Sequence, residues 1–343
     1  MLVIRPDRIG DVVLATPTIR ALRRSFPDAY IAALVRPATE PVLHGNPHLD
    51  AILIDDREHT HAGKRGFFDR LRMLRRHRFD TALMLLPTER HAWMTFFAGI
   101  PRRVGVGTKL YQVLTFARSV SRRKYTPLRH EADYCLDLAR AIGAEDDGLD
   151  VEVFLSDVER REARDRLHAI GRDTARPLLS VHPESGRSAP NWEAHKYRDF
   201  VAAALEQFPE LQIMVQVTPS NRALHDLFAP LRSERGVLIP DNGGNLRLVM
   251  GFISEAQTVI SASTGPMHLA AGLRIPTVSL FCPMTACHPD LWGPLGNRSL
   301  TLLPPDEYCR TQCPGDPHIC TLEGGIEIPD VLDAVGRQLT QSA

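Results

Sequence analysis

The sequence predicts an α/β protein built from two domains, each with a doubly wound parallel sheet, and two observations support this prediction. The chain has 343 residues, which is long for one typical domain and sufficient for two that each bury a core. Short, nearly continuous apolar runs alternate with longer amphipathic segments, as expected for buried parallel strands joined by crossover helices. Two such Rossmann-like domains are expected to face each other across a cleft, where ligands bind at the carboxyl ends of the strands.

The first half contains four candidate strands with helical segments between them. The predicted strands are Leu2 to Ile4, Tyr30 to Val35, Ala51 to Ile54 and Thr81 to Leu86. After the first strand, Asp11 to Phe26 carries apolar residues at spacings of three and four, which predicts one helix that ends before Pro27. The loop that joins this strand and helix is therefore Arg5 to Gly10.

The second half repeats the alternation. The predicted strands are Leu178 to His182, Gln212 to Val217, Val237 to Ile239, Thr258 to Ser261 and Thr277 to Phe281, and the predicted helices are Lys196 to Gln207, Leu246 to Ser254 and Pro266 to Leu273. Acidic residues and glycine interrupt the rhythm between Ala144 and Ser156, which predicts the interdomain boundary there. We therefore expect one Rossmann-like domain over residues 1–150 and a second over 151–325. A C-terminal helix over 326–343 is expected to pack back toward the first domain.

Composition places the chain among ordinary globular proteins. Hydrophobic residues make up 43% and charged residues 24% of the sequence, so neither disorder nor a fibrous class is indicated. The apolar run at the amino terminus is too short for a signal peptide, and no later run is long enough to span a membrane. These observations predict a cytoplasmic protein, with peripheral contact at the inner membrane as an option.

Positive charge is concentrated in one part of a chain whose formal net charge is zero. Residues 57–130 contain 17 lysines and arginines but only four acidic residues, an excess of 13 positive charges. Such a region would attract an anionic ligand, for example a phosphorylated glycolipid, a nucleic acid or a membrane surface. The alternative is a solvated helix face that carries Arg72, Arg75, Arg76 and Arg78.

The loop after the first predicted strand carries two residues of chemical interest, Gly10 and Asp11. Glycine lets the backbone approach a ligand closely, and an aspartate at the cleft could accept a proton as a general base. Alternatively, Asp11 caps the following helix. No G-x-G-x-x-G follows a strand, and the segment from Gly63 to Gly66 is not a P-loop, so NAD chemistry and Walker-type ATP hydrolysis lose support.

A second candidate site lies where the strand ending near Ser261 meets the next helix. Pro266 suits the first turn of that helix, and the free N–H groups at a helix N-terminus favour a diphosphate. Thr264 and Gly265 would supply a hydroxyl donor and close backbone approach. His268 would contact a phosphate or sugar, or would simply pack in the interior.

A third segment, His182 to Ser188, follows another predicted strand and combines hydroxyls, glycine and arginine. Because arginine binds phosphate in a bidentate manner, we consider Ser185, Arg187 and Lys196 to be candidates for binding a donor phosphate. The alternative is that these are ordinary turn residues.

Several motifs together resemble glycosyltransferase family 9, the ADP-heptose:lipopolysaccharide heptosyltransferase family. The motifs are Arg8-Ile9-Gly10-Asp11-Val12-Val13-Leu14-Ala15-Thr16-Pro17, Arg102-Arg103-Val104-Gly105, the Pro183 to Trp192 loop, Ser263-Thr264-Gly265-Pro266-Met267-His268-Leu269-Ala270-Ala271, Phe281 to Pro283, and Trp292-Gly293-Pro294. The resemblance implies a GT-B fold and transfer, with inversion and without a metal or cofactor, from a nucleotide sugar that is typically ADP-L-glycero-D-manno-heptose.

The resemblance also implies roles for the two domains and for individual residues. The first domain, residues 1–150, would bind the acceptor, and the second, residues 151–325, would bind the nucleotide sugar. Asp11 corresponds to the catalytic base that deprotonates the acceptor hydroxyl. The implied donor site comprises Thr264, Gly265 and His268. The further donor-binding candidates are Gly10, Ser185, Arg187, Lys196, Ser263 and Met267. The basic region would hold the phosphates or carboxylates of an inner-core acceptor such as 3-deoxy-octulosonic acid on lipid A. The candidate residues there are Arg57, Arg118, Arg122, Arg123 and Lys124.

Three departures from the family pattern leave the substrate open. Ser263 replaces a usual aspartate, Pro190 replaces a usual basic residue two positions before the tryptophan, and the run from Thr218 to Asn221 replaces glycines and an acidic residue that can bind ribose. The alternatives are a related transferase with another nucleotide sugar or acceptor, and a degenerate, non-catalytic nucleotide-sugar-binding protein. A nucleotide-sugar 2-epimerase and a nucleic-acid-binding protein have weaker support.

Cysteines provide the last candidate site. Cys309, Cys313, His318 and Cys320 could offer soft ligands to a metal, although the spacing fits no standard zinc pattern. The other interpretation is that all six cysteines are reduced thiols, as a cytoplasmic setting favours.

Overall fold

The computed structural model describes residues 1–186, 189–233 and 236–341. The chain divides into two compact units, Met1–Phe154 and Leu155–Ala343, and this division falls inside the Ala144 to Ser156 stretch. Within the described residues each unit contains one six-stranded, entirely parallel sheet. The expected fold class, two doubly wound α/β domains, is confirmed.

The first unit has the strand order β3-β2-β1-β4-β5-β6. Its strands are β1 (Leu2–Ile4), β2 (Ala32–Val35), β3 (Ala51–Ile54), β4 (Thr81–Met84), β5 (Arg102–Val106) and β6 (Arg118–Val120). Its helices are α1 (Ile9–Val13), α2 (Thr16–Ser25), α3 (Gly63–His77), α4 (Glu89–Phe97), α5 (Leu110–Leu114) and α6 (Glu131–Arg140). The direction of winding reverses between β1 and β4, and ligands of doubly wound proteins bind beside the carboxyl ends of strands at such a point.

The second unit has the order β12-β11-β10-β7-β8-β9, which is the same topology with β7 in the position of β1. Its strands are β7 (Leu178–Val181), β8 (Gln212–Val215), β9 (Val237–Leu238), β10 (Thr258–Ala262), β11 (Thr277–Leu280) and β12 (Ser299–Leu302). Its helices are α7 (Asp157–Ala169), α8 (Ala194–Gln207), α9 (Arg222–Phe228), α10 (Leu246–Ser254), α11 (Gly265–Gly272), α12 (Pro289–Trp292), α13 (Asp306–Thr311) and α14 (Ile328–Thr340). Here the winding reverses between β7 and β10.

The predicted helix from Asp11 to Phe26 is wrong as a single element, because the structure has two helices, α1 and α2, in its place. Pro17 explains the break, since a proline has no N–H to donate and tolerates only the first turn of a helix. Proline occupies that turn of α2. The Thr16 hydroxyl donates a hydrogen bond of 2.7 Å to the Val13 carbonyl oxygen, which satisfies a group that the break would leave unpaired.

Three strands, β5, β6 and β12, were not expected from the sequence. Strands β6 and β12 lie at the sheet edges, where side chains remain partly exposed, and β5 and β6 begin with the exposed Arg102 and Arg118. The apolar-run criterion detects strands whose residues are apolar on both faces. It therefore overlooks polar strands at and beside an edge.

The C-terminal helix α14 packs on α8 and on the second sheet. Its buried face, which includes Val331 and Val335, joins the same apolar core as Phe200 of α8 and Ile260 of β10. The expectation that this segment returns toward the first domain stays a prediction. In the described ranges, no helix is both long and apolar enough to cross a membrane.

Candidate functional site

At the carboxyl end of β1, the buried side chain of Arg5 holds three carboxylates. Its Nη2 donates to Asp11 Oδ1 at 2.6 Å, its Nε lies 3.0 Å from Asp7 Oδ1, and its Nη1 lies 3.1 Å from Glu131 Oε1. Only 3% of the Arg5 side chain is exposed, and a buried cation requires such partners. Arg5 therefore fixes the positions of acids from the loop, from α1 and from α6.

Asp11 lies in the first turn of α1 and does not cap it, because the residue at the N-cap position is Arg8. Of its two carboxylate oxygens, Oδ1 accepts the bond from Arg5. Oδ2 has no hydrogen-bond partner among the described residues, and 16% of the side chain is exposed. The structure thus orients Asp11 through one oxygen and leaves the other available to a proton donor. The capping alternative does not account for this arrangement.

Asp7 is the second acid of this loop, and its environment disfavours ionisation. Burial and the neighbouring Asp11 raise the pKa of Asp7 to about 7, although Arg5 acts in the opposite direction. Two negative charges close to one guanidinium repel each other in a region of low dielectric. Near neutral pH, part of the population therefore carries a proton on Asp7.

At the carboxyl end of β10, Ser263 and Thr264 lead into α11. Thr264 is the N-cap residue of α11, yet its hydroxyl caps no backbone N–H, and Pro266 occupies the first turn. The Thr264 Oγ1 atom is buried and has no partner in the described part of the chain. A buried hydroxyl without a partner is unfavourable, so this atom and the free N–H groups of the first turn form a place suited to an anion.

Two further predicted donor residues belong to the first turn of α11. Met267 is fully buried and His268 is 4% exposed, so both line the interior side of the turn. Gly265 is the first helical residue and brings backbone, without a side chain, to the carboxyl edge of the sheet. The sequence-based grouping of these residues with Thr264 therefore matches their placement, while their roles stay predictions.

The adjacent strand β7 places His182 beside this turn, since its backbone N–H donates to the Ile260 carbonyl of β10 at 2.9 Å. Burial lowers the pKa of His182 to about 4, so its imidazole is neutral at pH 7. Its Nδ1 is buried without a partner in the residues described. Sequence reasoning used this residue only to delimit the loop, and the signal that could have found it is its position directly after a buried strand at the point of reversal.

Residues 68–314 match the model of glycosyltransferase family 9 (heptosyltransferase). This chain belongs to glycosyltransferase family 9. It is similar to lipopolysaccharide heptosyltransferase 2 of Salmonella typhimurium, with 24% identity over 309 residues that cover 87% of this chain and 86% of that protein. As a member of the family, it is a glycosyltransferase.

Solved structures of family members share the fold. A family 9 glycosyltransferase from Veillonella parvula superposes with a TM-score of 0.83 at 19% identity, covering 99% of this chain and 97% of that chain. The ADP-heptose lipopolysaccharide heptosyltransferase II of Escherichia coli gives a TM-score of 0.76 at 20% identity, covering 99% and 98%. The GT-B class expected from the resemblance is confirmed on these grounds.

The run from Thr218 to Asn221 after β8 contains no acidic residue, and here a glutamate reaches that position from another loop. Glu184, which follows β7, accepts hydrogen bonds from the backbone N–H and hydroxyl of Thr218 and from Asn221 Nδ2. The acid is therefore present at the carboxyl end of β8 although the local sequence lacks it. Sequence reasoning missed Glu184 because the contact spans 34 residues.

The structure argues against phosphate binding by Lys196. Its Nζ donates to the Ile326 carbonyl and to Glu327 at 3.0 Å each, and it lies 5.1 Å from the centre of the Trp192 ring. These contacts use a largely buried ammonium to tie α8 to the start of α14. Of the other phosphate candidates, Ser185 lies partly buried in the loop after β7, and Arg187 lies outside the described residues.

The five candidate acceptor residues do not form one group. Arg57 follows β3 at the carboxyl edge, and its side chain makes no hydrogen bond or ion pair among the described residues. Arg122 also lies at that edge, but it forms a bidentate pair with Glu131 at 2.6 and 2.8 Å. The neighbouring Arg123 is exposed, and the side chain of Lys124 lies outside the description.

Arg118 is separated from the others because it begins β6. In a parallel sheet its position is at the amino edge, opposite the carboxyl edge that carries Arg5 and Asp11. Its Nη1 donates to the Ala141 carbonyl at 2.5 Å. The sequence-based grouping of Arg118 with an acceptor site near Asp11 therefore does not match its placement in the first unit.

All six cysteines are free thiols. Within the part of the chain that the structure describes, no group of three or more His, Cys, Asp or Glu side chains is arranged to hold a metal ion. Cys320 is buried and lies 3.5 Å from the Tyr308 hydroxyl. The metal interpretation of Cys309, Cys313, His318 and Cys320 gains no support from these positions.

Proposed function

We propose that this chain is an inverting, metal-independent glycosyltransferase that moves a heptose from ADP-heptose to an anionic glycan acceptor such as the lipopolysaccharide inner core. The observation that carries the proposal is Asp11, which Arg5 holds through Oδ1 while Oδ2 stays available. Family membership supplies the reaction class, and the named heptosyltransferase relatives support the choice of sugar.

In the proposed reaction, Asp11 Oδ2 accepts the proton of an acceptor hydroxyl. The hydroxyl oxygen forms a bond to the anomeric carbon of the heptose, and the bond from that carbon to the β-phosphate oxygen of ADP breaks. Attack opposite the leaving group inverts the configuration. A general base within hydrogen-bond reach typically contributes about 100- to 10,000-fold to such a step.

The donor diphosphate is proposed to bind at the first turn of α11. Charge grows on the departing ADP, and preorganised N–H donors at a helix N-terminus stabilise it. Thr264 Oγ1, which is buried and lacks a partner in the described residues, would donate to the same diphosphate. Glu184, at the end of β8, would take the place of the family's acidic residue beside the ribose.

The experiment is calorimetric binding of ADP, UDP, GDP and dTDP, followed by an assay of ADP release from ADP-heptose with inner-core fragments. We expect ADP to bind at least about ten-fold more tightly than the others, which corresponds to about 1.4 kcal/mol, and release to require the acceptor. Tighter binding of another nucleotide would replace the donor in this proposal. Binding of ADP without turnover on any acceptor fragment would favour the non-catalytic binding protein.

A further inference from the structure

The first unit exposes five apolar side chains on α4, α5 and the residues that follow α5. They are Phe97, Leu110, Val113, Leu114 and Phe116, and we name this surface the apolar ridge. Helices α4 and α5 pack together, and the Phe96 ring links them because its centre lies 6.4 Å from that of Phe116 and 5.5 Å from that of Phe97. The ridge is therefore one continuous surface.

The apolar face of α5 points outward, which reverses the usual arrangement. Leu110, Val113 and Leu114 have the spacing of one helical face, and they are 74%, 62% and 51% exposed. The inward face is polar, since Gln112 is buried and the Tyr111 hydroxyl donates to the Pro87 carbonyl at 2.8 Å. Clustered exposed apolar groups of this kind mark an interaction surface.

Phe116 is held out from the surface by an unfavourable backbone conformation. Its φ is 53°, in the left-handed region that a bulky side chain rarely adopts. Hydrogen bonds from its N–H to the Val113 carbonyl and from the Ala117 N–H to the Gln112 carbonyl maintain this turn. The result is a phenylalanine that is 80% exposed, and strain of this kind is characteristic of functional positions.

Positive groups border the ridge. Between Arg90 and His130 the sequence contains no acidic residue. The guanidinium of Arg103 lies over the Phe96 ring at 5.4 Å and donates to the Thr115 carbonyl. Arg102 and Arg118, the latter two residues beyond Phe116, line a cavity of about 340 Å³ together with Val104, Ala141 and Ile142. The guanidinium of Arg102 makes no hydrogen bond or ion pair within the described ranges.

We propose that the apolar ridge docks on an anionic lipid bilayer. Its side chains would enter the interface, and the cavity between Arg102 and Arg118 would receive a lipid phosphate. Protruding apolar residues next to cations are complementary to such a surface, which combines hydrocarbon with negative headgroups. Arg118 thereby acquires a role that fits its place at the amino edge, away from Asp11.

A second copy of this chain is the other occupant to consider. A stable dimer interface usually buries roughly 800 Å² on each partner and requires complementary shape. The ridge offers only five exposed apolar side chains, and its cationic border would face an identical cationic border. Charge therefore favours the lipid surface over self-association.

The test is co-sedimentation of the purified protein with vesicles of phosphatidylcholine and phosphatidylglycerol, and with vesicles of phosphatidylcholine alone. We expect binding to the mixed vesicles to be about ten-fold stronger and to weaken in high salt. The double variant L114S/F116S should lose this binding. The matched control is V158S, which replaces an apolar residue of the second unit that is 65% exposed, and it should bind as the wild type does.

Two further variants separate docking from structure. F116G removes the ring and relieves the left-handed backbone, so it should bind vesicles more weakly while unfolding at an unchanged or higher temperature. R102Q/R118Q should reduce binding to the mixed vesicles more than the control R222Q/R232Q, whose arginines are also exposed.

Wild-type binding by L114S/F116S would overturn the proposal, as would equal binding to both vesicle types. Dissociation of a dimer by the ridge variants, without any vesicle binding, would assign the ridge to self-association instead. ADP affinity does not depend on the ridge, so these outcomes are distinct from failure of the proposed function.

Discussion

The loops after β1 and β10 each border the point where the winding reverses in two sheets of the same strand order, yet their chemistry is opposite. The first loop gathers three carboxylates around Arg5. The second presents a helix N-terminus, the hydroxyl of Thr264 and the neutral His182 of the adjacent strand. The comparison teaches that the topology sets where ligands bind, while the residues determine that one loop suits proton acceptance and the other suits an anion.

Burial shifts one titratable group beside each loop toward its neutral form. It raises the pKa of Asp7 to about 7 and lowers that of His182 to about 4. In the first loop, Asp7 shares the guanidinium of Arg5 with Asp11 and Glu131. The second loop, from Ser263 to Pro266, contains no lysine or arginine. Its donors among the described residues are therefore the backbone N–H groups of the turn and the Thr264 hydroxyl. The predictions below test this division of roles.

The largest expected effect is that of Asp11→Asn. If Asp11 is the base, kcat should fall about 100- to 10,000-fold, while the calorimetric affinity for ADP should stay unchanged because the proposed donor groups belong to the other loop. Asp69→Asn, on the exposed side of α3, is the control. A parallel loss of ADP affinity, or retention of turnover, would contradict the separation of the two loops.

The next effect concerns Arg122, which the sequence suggested as an acceptor contact and the structure pairs with Glu131. Arg122→Gln should lower the free energy of unfolding by about 3 kcal/mol, because the buried Glu131 then keeps only Arg5 as a cationic partner. Arg123→Gln, at an exposed neighbouring position, should change it by less than about 0.5 kcal/mol. Urea titration measures both. Unchanged stability combined with a raised KM for the acceptor would restore the sequence-based interpretation.

The pH dependence of stability tests the environment of Asp7 in the first loop. The pKa of Asp7 is near 4 in an unfolded chain and about 7 in the folded one. The protonated carboxyl therefore contributes its full stabilisation of the fold below about pH 4, and this stabilisation is lost as the pH rises through about 7. In the Asp7→Asn variant the side chain at position 7 cannot ionise. Its stability relative to the wild type should therefore increase between about pH 4 and pH 7, by at most about 1.4 kcal/mol per pH unit.

Thermal unfolding across this range measures the effect. The charged groups that act on Asp7 are Arg5, Asp11 and Glu131, all of which remain in the variant. Asp69→Asn again serves as the reference. A difference between Asp7→Asn and the wild type that does not depend on pH would mean that Asp7 ionises in the folded state as it does in water.

The sequence predicted the buried strands well, because an apolar run such as Leu2 to Ile4, whose three residues are all buried, is direct evidence of burial. It also predicted Asp11 and the Thr264 turn from motifs. It could not predict that Arg5 joins Asp11 to Glu131, since Arg5 and Glu131 are 126 residues apart. The same reason hid Glu184, whose partners Thr218 and Asn221 lie in the loop after β8. Contacts between loops depend on strand order, which local patterns do not encode.

The smallest expected effect would sharpen the comparison most, because it isolates one atom of the second loop. Thr264→Val keeps the shape of the side chain and removes the hydroxyl that has no partner in the described structure. Eliminating a buried, unsatisfied hydroxyl should leave the free energy of unfolding unchanged or raise it. If that hydroxyl binds the diphosphate, ADP affinity should nevertheless fall about five-fold, or about 1 kcal/mol. Thr301→Val, at an exposed position on β12, should alter neither quantity. A hydroxyl that only packs cannot produce opposite changes in stability and affinity, so calorimetry and unfolding of this one variant decide whether the second loop is a ligand site.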